Sequence, residues 1–244
     1  MRVALIDSGI NAGHEHVGEV VAGARVLASP DAIQLVEGIE AARDAIGHGT
    51  ACAGLVRWFA PSAELIAVRV FDSTLRAPSS LLPLAFQYCA RVRARLVNLS
   101  LGLSASEVEE EARQALDALL AGGAWVVAAL GPRARPTWPA SHRGVIAVTA
   151  DPQLDSGSWI WIEDGFMDEE GAIHPLVATA PFPRPMPGQP RERNLAGVSF
   201  AAAAVTGLLA REENGVGDPH SLLRAGALER FATRADWLAA RGVT

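Results

Sequence analysis

Three residues of this 244-residue chain have types that do chemistry in combination, although they lie far apart in sequence. Asp7 ends the apolar run in "ALIDSGI", His48 stands in "IGHGTACAGLV", and Ser199 stands in "AGVSFAAAAVTG". A serine hydroxyl is a weak nucleophile until an imidazole accepts its proton. The imidazole in turn needs a carboxylate to set its tautomer and stabilise its charged form. Asp, then His, then Ser is one of the chain orders in which this constellation occurs. The chemistry would be acyl transfer, with Ser199 attacking a carbonyl carbon, His48 as base and Asp7 as its orienter. Ser199 opens an apolar, Ala-rich helix. Unpaired N–H groups and the positive end of the helix dipole would therefore sit where an oxyanion develops. Gly197 allows close backbone approach.

The elements that must position these residues are legible as alternating strands and helices. "RVALID" (2–7), "AELIAVRVF" (63–71), "ARLVNLSL" (94–101), "GAWVVAAL" (123–130) and "GVIAVTA" (144–150) read as buried strands, apolar throughout and bounded by Gly, Pro or charge. Helices are expected over 79–93, and over 104–123 from a Ser104/Glu107 capping box to Gly122-Gly123. A further helix covers 197–210, and a last helical segment runs over 219–241 from Asp218-Pro219. Between them, 156–180 reads as strand, acidic turn and strand, and the proline-rich 181–190 as a loop. Such alternation predicts an α/β protein of three layers, α/β/α, around a mainly parallel sheet. With no repeat and no linker, a single domain over 1–244 is expected. In such sheets the functional groups gather beyond the carboxyl ends of the strands. That places Asp7, the "LSLG" after Asn98 and the "LGPR" after Ala129 together.

Composition narrows the function. A net charge of −6 and a pI near 5.5 exclude the basic footprint of a nucleic-acid binder. All 21 basic residues are arginine, which fits GC-rich coding rather than a function. No run of 18 apolar residues predicts a membrane span, and the N-terminus carries no signal-peptide pattern, so a cytoplasmic, bacterial protein is expected. Cys52 and Cys89 are too few for a disulfide framework and read as buried thiols. His14, His16, His142, His174 and His220 lack ligand spacing and read as surface or loop residues. "EDGFMDEEG" (163–171) reads as a solvated hairpin turn. It lacks the spacing of a calcium loop, so no cofactor is expected, with a structural calcium ion in this turn as the less favoured alternative.

Taken together, "IDSGI", "GHGTACAG", "APSAELIAVRVF", "VNLSLG", "VVAALG" with "GVIAVTA", and "GVSFAAAAVTG" resemble, in order, the motifs of the subtilisin-like serine proteases. Cys52 matches the free cysteine of the proteinase K-like branch. The resemblance implies a catalytic triad of Asp7, His48 and Ser199. It also implies a substrate pocket walled by Leu101-Gly102 and Ala129-Leu130-Gly131, and a peptide or protein substrate bound as an added strand. Two departures stand out. The family's usual pro-segment is not seen. Where the family has Ala-Gly-Asn, with the Asn donating to the oxyanion, Pro132 follows Gly131. Loss of that donor costs roughly 10²–10³ in kcat, a figure measured on subtilisin itself. Arg133, Arg135, Thr137 or Asn194 are the candidate replacements. The expectation is a dedicated intracellular processing protease, for example of a ribosomally made peptide. The alternative is a catalytically impaired relative that binds a peptide or partner chain. An α/β-hydrolase esterase is disfavoured, because Gly-x-Ser-x-Gly and the order Ser, Asp, His are both lacking.

Overall fold

A computed structural model describes residues 1–29, 31–131, 135–168, 170–212 and 217–243. In chain order the elements are β1 (Arg2–Asp7), β2 (Val20–Ala28), β3 (Ile33–Glu37), α1 (His48–Phe59), β4 (Glu64–Arg69), α2 (Leu82–Arg91), β5 (Leu96–Leu99), α3 (Glu110–Ala121) and β6 (Trp125–Ala129). There follow β7 (Val145–Ala150), β8 (Trp159–Met167), β9 (Ile173–Thr179), α4 (Val198–Ala210), α5 (Pro219–Gly226), β10 (Glu229–Thr233) and α6 (Arg234–Ala240). The strands form one sheet in the order β10-β8-β9-β7-β6-β5-β1-β4-β2-β3. From β2 across to β9 every pairing is parallel; β3 on β2 and β8 on β9 are antiparallel.

Strand alternation divides the core into the two layers that the apolar runs predict. Ala4 and Ile6 of β1 point into one cluster, packed under Leu82, Phe86, Leu116 and Leu119 of α2 and α3. Val3 and Leu5 point into the other, under Cys52, Leu55 and Val56 of α1 and the alanines of α4. Both faces are covered, as a parallel sheet requires. Helix α4 is buried from Phe200 to Ala210. Its small side chains let it lie close against both sheet and neighbouring helix. A Cβ added at Gly207 would stand 2.9 Å from Phe59 Cβ and 3.2 Å from Val56 Cα, so α1 and α4 touch backbone to backbone there.

Three expectations need correction. The helix predicted to begin at Ser104 begins at Glu110. The Glu107 carboxylate does accept the Ser104 N–H at 2.9 Å, but it closes a short 3₁₀ turn instead. Ser79 Oγ donates to the Glu107 carbonyl at 2.8 Å and accepts the Glu109 N–H at 3.2 Å, so a remote hydroxyl sets the start of α3. The segment 219–241 is not one helix: β10 interrupts it and pairs parallel with β8. Thr233 then starts α6 with a capping box to Asp236. Finally β2 and β3, which the sequence pattern did not mark, extend the sheet beyond β4. The C-terminal elements are fastened at one point. Asp151, 2% exposed, accepts from Arg241 Nε at 2.7 Å and from Trp237 Nε1 at 3.1 Å.

Candidate active site

Asp7 ends β1, and its carboxylate is fully buried. Its Oδ1 accepts the Ser8 N–H at 2.7 Å and lies 2.8 Å from His48 Nδ1. An ionised carboxylate only accepts, so Nδ1 carries the proton in this pair and Nε2 keeps its lone pair. His48 is the first residue of α1, and Gly47 before it takes φ +94°, a conformation that favours glycine. At Gly49 a side chain would collide with the Gly9 carbonyl and stand 3.2 Å from Asp7 Cβ. The run Gly-His-Gly therefore lets the start of α1 press onto the end of β1.

A second carboxylate, which sequence reasoning missed, holds this junction. Asp44 Oδ1 accepts Ser8 Oγ at 2.8 Å and the N–H groups of Ile46 and Gly47 at 2.9 and 2.8 Å. Its Oδ2 accepts the N–H and hydroxyl of Thr50 at 2.8 and 2.6 Å. Ser8 Oγ in turn accepts the Gly49 N–H at 2.9 Å. The available signal was an aspartate three residues before the glycine that opens a helix, the position of a side chain that caps orphan N–H groups. Burial pushes the Asp44 carboxyl up, but these hydrogen bonds, Thr50 first, hold it below the usual carboxylate value. For His48, burial opposes the charged form. The Asp7 hydrogen bond and the charges of Asp7 and Asp44 outweigh it and raise the imidazole above its ordinary value.

Ser199 is the second residue of α4 and partly buried. Gly197 caps the helix without a side chain, and the N–H groups of Val198 and Ser199 have no acceptor among the described residues. The ring of Phe200 lies 5.6 Å from that of His48, so the start of α4 sits against the imidazole. No hydrogen bond joins Ser199 Oγ to His48 among the described residues. Deeper in α4, Thr206 Oγ1 donates to Asn98 Oδ1 at 3.0 Å. Asn98 Nδ2 donates to Ser100 Oγ at 3.1 Å, and Ser100 Oγ contacts Cys52 Sγ at 3.9 Å. Cys52 Sγ is 4.0 Å from His48 Nδ1, which completes a buried polar path from α4 to the imidazole. Asp7, His48 and Cys52 are the one group of potential metal-ligating atoms found among the described residues, within 4.8 Å of one another. Burial raises the Cys52 thiol well above its normal range and pushes Cys89 up to about 12, so both stay protonated.

Of the residues named for the oxyanion region, Pro132 and Arg133 lie outside the described residues. Arg135 is bridged through its carbonyl to the Gly131 N–H at 3.0 Å, and its side chain is exposed. Asn194 is engaged in its own loop, donating to the Arg184 carbonyl at 3.5 Å and accepting the Leu195 N–H at 2.9 Å. The expected pocket walls are brought together, with a difference. Leu101, Ala129 and Leu130 turn into the core, and the walls meet at Gly102 and Gly131 around Thr137. A Cβ on Gly102 would stand 2.7 Å from Thr137 Oγ1, and one on Gly131 would stand 2.9 Å from Thr137 Cγ2. Thr137 Oγ1 is buried there without a partner among the described residues. The antiparallel bridge of Leu103 to Trp138 holds the two segments in this arrangement.

The reading of the remaining histidines changes in part. His174 is not a loop residue: it lies in β9, largely covered, with Nε2 2.6 Å from Asp168 Oδ2. His142 Nε2 is 3.3 Å from Asp117, and His220 packs edge-on against Trp161. Within the acidic turn, Asp168 also accepts the N–H groups of Glu170 and Ala172. No helix among the described residues is long and apolar enough to cross a membrane.

A covered parallel sheet that offers a carboxylate–imidazole pair at one strand end, beside a helix opening on serine, defines the class of α/β serine hydrolases. The subtilase family profile matches residues 1–224, and the chain belongs to that family as a subtilisin-like serine protease. Thermitase of Thermoactinomyces vulgaris is 27% identical over 227 residues, covering 86% of this chain and 75% of thermitase. A subtilisin-like protease of Coccidioides posadasii is 29% identical over 222 residues, covering 84% of this chain and 50% of that protein. Among solved structures, the fold is shared with a cold-adapted subtilisin-like serine proteinase (TM-score 0.65, 19% identity) and with the prenylagaramide maturation protease PagA (TM-score 0.61, 20% identity). Each alignment covers 92% of this chain and 81% of the other.

Proposed function

We propose that this subtilase cuts peptide bonds through an acyl-enzyme on Ser199. The observation that carries this is the buried Asp7–His48 pair, 2.8 Å apart, against the first turn of α4. With Nδ1 committed to Asp7, Nε2 is the atom that takes the Ser199 proton as Oγ attacks the carbonyl carbon. The C–O bond forms, the carbonyl π pair moves onto oxygen, and the free N–H of Ser199 is the donor available to that oxyanion. The imidazolium is stabilised by Asp7 and then protonates the leaving amine as the C–N bond breaks. Water, deprotonated by the same nitrogen, attacks the acyl-enzyme and releases the acid. Peptide would lie extended along the Gly102 and Gly131 edges, with the residue before the scissile bond beside Thr137. We further propose that the protein is an intracellular maturation protease with a dedicated substrate. The fold it shares with a protein named as a maturation protease supports that role.

Labelling with a fluorophosphonate tests the chemistry. The expected result is one adduct, located by mass at Ser199 and lost in His48→Ala. An intact folded protein that takes no label would leave the peptide-binding, non-cleaving reading in its place.

A further inference from the structure

A cavity of about 570 Å³ opens between α1 and the loop that leads into α4, and the catalytic chemistry above makes no use of it. Asn11, His14 and His16 line it from the loop after β1, Thr50 from α1, and Arg184 and Arg193 from the loop before Ser199. Its size suits a few side chains of a bound chain rather than a water pocket.

Its charge runs against the rest of the molecule. The protein carries a net charge of −6, yet among the described residues no carboxylate lines this cavity, while two arginines and two histidines do. Neither arginine is in an ion pair among the described residues. The Arg184 guanidinium stacks 4.9 Å over the Trp58 ring, which orders it without neutralising it. A carboxylate is the group that answers two arginines on one wall, and an acidic peptide supplies it.

The location identifies which peptide. Gly47, next to His48, is part of the wall, and Asn194 and Leu195 of the loop before Ser199 are another part. A chain seated here is therefore within a few residues of the reacting groups.

We infer that this cavity is a recognition site for an acidic segment of the peptide substrate, held by Arg184 and Arg193 close to the bond that is cut. The inference rests on the proposed protease chemistry and deepens it, by naming the charge of the substrate.

Peptides that differ only by Glu or Gln at each position around the scissile bond test it through kcat/KM. At one position Glu should be favoured on the order of fivefold at low salt, the effect of one or two partly screened ion pairs. The preference should fade as salt is raised. The double substitution Arg184→Gln/Arg193→Gln should bring the Glu/Gln ratio to about one, and Arg184→Lys/Arg193→Lys should restore part of it. Thermal melts identify any variant that has not folded. Equal kcat/KM for Glu and Gln at every position would overturn the inference and leave the protease chemistry standing. Absence of both cleavage and fluorophosphonate labelling would remove the chemistry instead. Calorimetric binding of the same peptides to Ser199→Ala then still decides the inference: tighter binding of the Glu peptide supports it, and equal binding or competition by inorganic phosphate alone overturns it.

Discussion

At the scale of single residues, the proposed chemistry rests on two carboxylates rather than one. Asp7 orients His48, and Asp44 holds the backbone that carries both. Because the charge of Asp44 helps to raise the His48 pKa, Asp44→Asn should lower it. A general base works unprotonated, so the acid limb of the kcat/KM profile should move to lower pH. Overall kcat/KM should fall at the same time, because the N–H groups of Ile46, Gly47 and Thr50 lose part of their acceptor. A profile measured from pH 5 to 9 reads both effects, and an unmoved acid limb would show that Asp44 acts through structure alone. Thr137 permits a second test. Occupying the space between Gly102 and Gly131, it should favour a small residue before the scissile bond. Thr137→Gly should shift preference toward larger apolar residues by roughly tenfold, the worth of one or two methylene groups in a pocket. Competing peptides analysed by mass spectrometry would show it. Asp7 and His48 could be read as a pair, with Ser199 proposed beside them, because six motifs run in order along the chain, each weak alone. Thr137 was named only as a replacement oxyanion donor, since its place between Gly102 and Gly131 depends on segments that the fold brings together, and Asp44 was missed although most of its partners are local.

At the scale of elements, the central strands and α4 announce themselves by continuous apolar runs, since a strand covered on both faces has no polar side. The errors fall where pattern gives way to a distant contact. Ser79 resets the start of α3 from about 30 residues away. β10 alternates weakly over five residues, and only its pairing with β8 makes it a strand. On the proposed assignment, activity depends on the helix pair α1–α4, because His48 and Ser199 ride on separate helices. Gly207→Val should therefore cost about 1–3 kcal/mol through overpacking against Val56 and Phe59. It should lower kcat as well, by shifting one helix against the other. Calorimetry together with kcat separates this from a purely thermal defect, since a variant that melts earlier with unchanged kcat would contradict the coupling.

At the scale of the whole molecule, the family match stops at residue 224, and β10 and α6 lie beyond it. They add a strand to the sheet edge and are fastened by the buried Asp151–Arg241 pair. Removing Asp151 would leave the buried Trp237 Nε1 without its acceptor and Arg241 with Glu229 alone, 2.9 Å away. Asp151→Ala should destabilise the protein by roughly 3 kcal/mol, or about 6–12 °C in Tm for a chain of this size. Differential scanning calorimetry checks it, and a loss below about 1 kcal/mol would show that the C-terminal elements are held by apolar contacts instead.

The burial of α4 has a consequence in time. Asp7 and His48 lie in the first quarter of the chain, whereas Ser199 enters with a helix that packs on α1 and the strands β5, β6 and β7. Chains are made from the N-terminus onward, and domains generally fold as units. On the proposed assignment, a ribosome-bound chain can hold a formed carboxylate–imidazole pair and still lack its nucleophile until more than four-fifths of the sequence has emerged. A nascent chain that has not yet emerged past α4 therefore lacks the nucleophile and cannot cut.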